Sequence, residues 1–148
     1  MSLSSIFDIA GSGMNAQSIR MNTTASNIAN AESASSSVDE TYRARKPWFS
    51  VMQKAFSEVD ESNKFQRLGN HIDMGVKVDG IVESDAPLQP RFQPDHPMAN
   101  EDGYVYYPNV NVIEEMTDMM SSSRSYQMNV EVLKTAKQML QRTLNLGQ

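Results

Sequence analysis

The chain has 148 residues, 13 of them basic and 18 acidic, for a net charge of -5, and it contains no cysteine. That length is one domain's worth of sequence, the acidic balance argues against a nucleic-acid ligand, and the missing thiols exclude disulfides and thiolate metal sites. No stretch approaches the ~18 uninterrupted apolar residues of a membrane-spanning helix, and Asp8, with no basic residue before Arg20, argues against a cleavable secretory signal.

Charge divides the chain into three regions. Residues 1–36 carry only Asp8, Arg20 and Glu32, residues 37–108 carry most of the charge, and residues 109–148 carry four charges of each sign. In the first region Leu3, Phe7, Ala10, Met14, Gln17, Met21, Thr24 and Ile28 follow an alternating spacing of four and three. That is a coiled-coil-like seam, soft at Ala10, Gln17 and Thr24. A helix over 3–30 is about 42 Å long at 1.5 Å per residue. Gly11 and Gly13 weaken it by about 1 kcal/mol each relative to Ala, and they permit close approach by a neighbour. Asn30 can end it in a left-handed conformation. The polar run from Asn22 to Asn30 is a poor helix former, because short polar side chains compete for nearby backbone groups.

Ser33 to Glu40, with Ser33, Ser35, Ser36 and Ser37, reads as a mobile linker. The middle region is β-rich. Val76–Glu83 alternates apolar and polar residues and reads as a strand, either continuous or turning at Asp79-Gly80. Gly103–Tyr107 is a second strand and Lys46–Met52 a weaker third. Pro87, Pro90, Pro94, Pro97 and Pro108 exclude helix from 87–108, which reads as an extended arm over the surface.

The C-terminal region repeats the seam through Val112, Met116, Met119, Ser123, Tyr126, Val130, Leu133, Lys137, Leu140 and Leu144. Asn111 with Glu114 three residues on resembles a capping box, and Gly147 lies beyond the last seam residue. A helix over 112–144 is about 50 Å long. The predicted fold is therefore mainly α with a small β region, its two terminal helices pairing as an antiparallel coiled coil. The expected organisation is a helix and linker over 1–36, a β-rich middle over 37–108 and a helix over 109–148. Such a pair has too little core to be robust alone. Side faces carrying Ile6, Ile9, Ile19, Ile113, Met120 and Met139 read as surfaces for other subunits. The eleven methionines suit surfaces that adapt to several neighbours.

Candidate chemistry is sparse. Metal sites need three or four converging ligands, and His71 and His96 are the only histidines; no metal, cofactor or catalytic residue is assigned. Gly11-Ser12-Gly13 lacks the rest of a phosphate loop and reads as small residues at a helix contact. Asn22-Thr23-Thr24 matches a glycosylation sequon inside a predicted helix, which reads as chance. The acid pairs Glu114–Glu115 and Asp60–Glu61 have no buried setting to raise a pKa. Arg43, Arg45 and Lys46, with Tyr42 and Trp48, could bind an anion, and are read instead as a solvated strand edge or a salt-bridging interface.

The stretch TTASNIANAES (Thr23–Ser33) resembles the N-terminal signature of the bacterial flagellar basal-body rod and hook protein family, with its core at Ala25, Ser26, Asn27, Ile28, Ala29 and Asn30. SRSYQMNVEVLKTAKQML resembles the family's second signature, at Arg124, Tyr126, Gln127, Asn129 and Val130. ETYRARKPWF, GVKVDGIVES and DGYVYYPNVNVIEEM look like its short proximal-rod members. Ala31, Glu32 and Ser33, where many relatives carry Asn-Thr-x-Gly-Tyr, favour the C-type over the B-type rod subunit.

The resemblance implies a structural subunit of the drive shaft, exported uncleaved through the flagellar type III apparatus and assembled in the periplasm. Its partners would be copies of itself, other rod proteins and the adaptor joining the rod to the export gate, with no nucleic acid and no small-molecule substrate. Subunit-interface candidates are Phe7, Met14, Met21, Ser26, Asn27, Ile28 and Asn30 on the first helix. On the second they are Met116, Met119, Arg124, Tyr126, Asn129, Val130, Leu133 and Leu140. Asn27 and Asn30 are expected to find partners only in the assembled rod and to set subunit register there. The alternatives are a B-type rod subunit, a cytoplasmic coiled-coil adaptor and, more remotely, a small hydrolase.

Overall fold

The computed structural model describes residues 3–53 and 73–146. Asp60, Glu61, His71 and Gly147 lie outside the described residues. The element order is α1 (Leu3–Ala29), β1 (Arg45–Gln53), β2 (Asp73–Glu83), β3 (Gln89–Phe92), β4 (Tyr104–Tyr107) and α2 (Val112–Leu146). Two long helices thus bracket two small antiparallel sheets, β1–β2 and β3–β4, and the class is mainly α with a small β region.

Local chemistry sets the helix ends. Asn111 caps α2, its Oδ1 accepting the Ile113 N–H at 3.2 Å while its main-chain oxygen accepts the Glu115 N–H at 3.0 Å. Glu114 does not close the box on Asn111 and instead faces Lys46 at 3.7 Å. At the other helix, the Ser26 carbonyl accepts both from Asn30, its backbone N–H at 3.1 Å and its Nδ2 at 2.8 Å, which closes the last turn.

The helices lie side by side in opposite chain sense: Arg20 meets Asp118 at 3.1 Å, Gly13 abuts Asn129, and Ile6 shares a groove with Ala136 and Met139. The period of the apolar pattern is as expected, and on α1 the soft seam positions Ala10 and Thr24 are buried, but on α2 the phase differs. The deeply buried residues of the pair are small or polar: Ala10, Thr24 and Asn27 on α1, and Glu115, Ser122 and Ala136 on α2. Phe7, Met14, Met21 and Ile28 are only half-buried, and Met116, Val130 and Leu140 are exposed. The buried line on α2 thus runs one residue before the large-residue stripe, through Ser122 and Ala136 rather than Ser123 and Lys137. Small contact residues explain the offset, because helix axes approach according to the side chains between them. A Cβ added at Gly13 would lie 2.8 Å from Asn129 Nδ2.

The β1–β2 ribbon pairs Arg45 with Glu83, Trp48 with Gly80 and Val51 with Val76. β2 continues through Asp79-Gly80 without a turn, so the continuous reading of that strand is the observed one. The register shift between Trp48 and Phe49 leaves Asp79 of β2 without a partner, a bulge at that dipeptide. The ribbon lies along α1, where the Val76 N–H donates to Ser12 Oγ at 3.1 Å and the Ser12 hydroxyl donates to the Ile9 carbonyl at 2.8 Å. The close approach needs Gly75, whose φ of 115° disfavours any side chain and whose absent Cβ leaves room for Ser12.

The proline-rich segment corrects the sequence reading. It does not cross the surface as an arm; it folds back as a hairpin pairing Gln89 with Tyr107 and Phe92 with Tyr104. Pro90 is tolerated because it sits opposite Tyr106, whose backbone groups point the other way. They bond Ser35 in both directions at 3.0 Å. The serine-rich segment expected to be a mobile linker is therefore pinned at Ser35, and again where Thr41 Oγ1 donates to the Ser37 carbonyl at 2.7 Å. Val105, fully buried, anchors the hairpin.

Candidate functional site

TTASNIANAES forms the last turns of α1 and the turn after it. Its central amide is fully engaged. Asn27, only 1% exposed, donates from Nδ2 to the Arg45 carbonyl at 2.8 Å, and its Oδ1 accepts the Arg45 N–H at 2.9 Å and the Tyr42 hydroxyl at 2.8 Å. An unpaired buried amide would cost about 1–3 kcal/mol; here the partners come from the same chain. This corrects the expectation that these amides wait for the assembled rod. Asn30 likewise bonds its own helix.

A second amide works from the other side. Asn109, just ahead of α2, accepts the Ala44 N–H at 2.8 Å and donates to the Ala86 carbonyl at 2.9 Å. Sequence reasoning missed Asn109 and Tyr42 as joint-forming residues, and it placed Ser12 at a helix contact, where Ser12 meets a strand. The signal available was weak: an Asn between a proline and a helix cap, and a serine between two glycines.

The basic cluster is neutralised internally. Arg45 meets Glu83 at 2.9 Å and stacks over the Tyr42 ring at 5.3 Å, Lys46 faces Glu114, and Arg43 donates to the Ser84 carbonyl at 3.3 Å. Ser12 is the small contact residue that its flanking glycines suggested. Asn22-Thr23-Thr24 lies inside α1 with both threonines buried. Among the described residues, no group of acids and histidines could hold a metal ion, and no helix is long and apolar enough to cross a membrane.

What the chain does offer is apolar surface along α2. Ile113 (78% exposed), Met116, Met120, Met128, Val130 and Met139 all reach solvent. Between the two helices, Ile6, Met128, Val132, Ala136 and Met139 line an open groove of about 490 Å³. Of the interface candidates, Met116, Arg124, Val130 and Leu140 are exposed; Met119, Tyr126, Asn129 and Leu133 on α2, with Phe7, Met14, Met21, Ser26, Ile28 and Asn30 on α1, are half-buried. Asn27 alone is buried.

Residues 7–32 match the family described as "Flagella basal body rod protein", and residues 101–146 match "Flagellar basal body rod FlgEFG protein C-terminal". The chain is 45% identical over 148 residues to the flagellar basal-body rod protein FlgC of Salmonella typhimurium, covering all of both chains, and equally so to that of Yersinia enterocolitica. It is 34% identical over 150 residues to FlgC of Bacillus subtilis, covering 95% of each. The chain belongs to the flagellar basal-body rod proteins, in the FlgC group.

As a rod protein the chain is a structural subunit of the flagellar basal body, and these relatives do not favour the B-type subunit, the cytoplasmic adaptor or the hydrolase. The first family match spans most of α1 and the turn after it; the second spans β4 and all of α2. The ribbon lies between them in sequence.

Proposed function

We propose that the two helices pack as an antiparallel coiled coil in the inner layer of the rod, where subunits join copies of themselves and other rod proteins to transmit torque and wall the export channel. The observation that carries this reading is the division of α2 into two faces. Toward α1 it presents Ser122 and Ala136; outward it presents a row of large apolar side chains. Fully burying one Met or Leu is worth about 1.5–3 kcal/mol, so a chain that leaves so many exposed gains most when neighbours cover them. A contact that is not self-complementary and does not close generates a helical array. The half-buried seam residues Phe7, Met14, Met21, Ile28, Met119, Tyr126 and Leu133 would complete the packing within and between subunits. Ser26, Arg124, Asn129 and Asn30 would supply polar contacts at its margins. Export without cleavage through the type III apparatus, periplasmic assembly and contact with the adaptor at the export gate are parts of the same proposal.

The test is the paired substitution Met116→Glu with Met120→Glu. Both side chains are exposed in the single chain, so the purified variant should keep its helical content and melting temperature. In a deletion strain it should fail to restore motility and be missing from isolated basal bodies. Normal swimming with the variant present in basal bodies would refute the assignment of this face to assembly.

A further inference from the structure

The ribbon rests on α1 through two polar attachments, one at each end. At its root, Arg45 turns both backbone groups away from β2 and toward α1, as alternate residues of a strand do. Asn27 meets them with one donor and one acceptor, at 2.8 and 2.9 Å, and so stands in for a paired strand residue. The N–H and carbonyl of Arg45 fix which way the amide faces, and the Tyr42 hydroxyl adds a second donor to Oδ1. Ala44, the preceding residue, faces the opposite edge, where it bonds Ser84 and Asn109. At the far end, Ser12 Oγ accepts the Val76 N–H.

The two attachments are commensurate. From Ser12 to Asn27 is fifteen helical residues, about 22 Å at 1.5 Å each. From Val51, the partner of Val76, to Arg45, the partner of Glu83, is six strand residues, about 20 Å at roughly 3.3 Å each, with the bulged Asp79 the extra residue on β2. Both bonds close together in one placement of the ribbon. A slip of one strand residue would break both, since it brings to Asn27 a residue whose backbone groups point the other way. A slip of two would bring backbone groups of the right direction and displace the ribbon by about 7 Å.

We propose that Asn27 and Ser12 are positioning residues that set the axial register of the β1–β2 ribbon on α1, and with it the height at which Trp48, Ile81 and Val82 are presented to a neighbouring subunit. These three are large apolar side chains left exposed on the ribbon. Their use in assembly rests on the rod-subunit reading; the register itself does not, and it is read on the isolated chain.

The chain has no cysteine, so two spin labels can be placed without background, at Asn15→Cys on α1 and Asp79→Cys on β2, both exposed positions. The label-to-label distance by pulsed electron resonance should be a single narrow peak in the parent. Asn27→Ala should broaden it or add a population displaced by about 7 Å, the two-residue step. Ser12→Ala should do the same more weakly, and Ser12→Thr, which keeps the hydroxyl, should restore the narrow peak. A residue needed only for stability would lower the melting temperature and leave the distribution unchanged, and that result in folded Asn27→Ala overturns the proposal. Should Asn27→Ala fail to fold, the Ser12→Ala and Ser12→Thr pair decides alone, identical narrow peaks in both overturning it.

Discussion

Gly75→Ala is a sharp test of how the ribbon meets α1. The substitution acts twice. First, at φ 115° an L-residue is strained, at a cost of order 1–3 kcal/mol. Second, the new methyl would run into the Ser12 hydroxyl, which accepts the Val76 N–H at 3.1 Å. Losing a hydrogen bond of this kind costs about 1 kcal/mol. The sum is about 3 kcal/mol. For a chain of this size each kcal/mol moves the melting temperature by about 2–4 °C, so Gly75→Ala should melt about 6–12 °C below the parent, with a matching fall in the urea midpoint. Circular dichroism on purified protein reads both. Gly80→Ala is the control, because nothing lies within 4 Å of a Cβ added there; it should stay within about 0.5 kcal/mol of the parent, as surface changes usually do. If Gly75→Ala and Gly80→Ala melted together at the parent temperature, the close packing of α1 against the ribbon would be refuted.

Two further outcomes follow from the same geometry. Gly11→Ala meets nothing within 4 Å and should stabilise the chain by about 0.5–1 kcal/mol through helix propensity, whereas Gly13→Leu should destabilise it by forcing α1 away from Asn129; thermal melts that ranked the two in reverse would contradict the helix contact. Amide hydrogen exchange should be slowest near Ser122 and fastest, within α2, over residues 137–145, all of them exposed in the single chain; uniform protection along α2 would contradict that gradient.

The helices were legible because apolar period is a long-range signal repeated over seven or more turns. The phase on α2 was not, because the pattern marks large residues and the contact here uses small ones: Ser122 and Ala136 take the buried line in place of Ser123 and Lys137, and large side chains flank them. β3 was hidden by Pro90, a residue that forbids helix and is silent about a strand whose missing N–H faces away from its partner. Asn27 could be singled out from composition as an amide too costly to bury alone. Its partner could not, since nothing local to TTASNIANAES points to the backbone of Arg45. The exposed apolar face of α2 was legible in its side-face residues Ile113, Met120 and Met139, but that seam residues such as Met116 and Val130 would join them depended on the phase.

The unequal lengths of the helices have a mechanical consequence. α1 has 27 residues and α2 has 35, and Gly13 lies level with Asn129, so the excess projects at the C-terminal end of α2. Eight residues of helix are about 12 Å. A subunit of this outline ends in a step rather than a flat face. Stacked copies would overlap as in a lap joint, with no plane across the shaft where all the bonds between subunits end together. Twisting such a column would spread shear along the sides of the helices rather than concentrate it on a flat transverse joint.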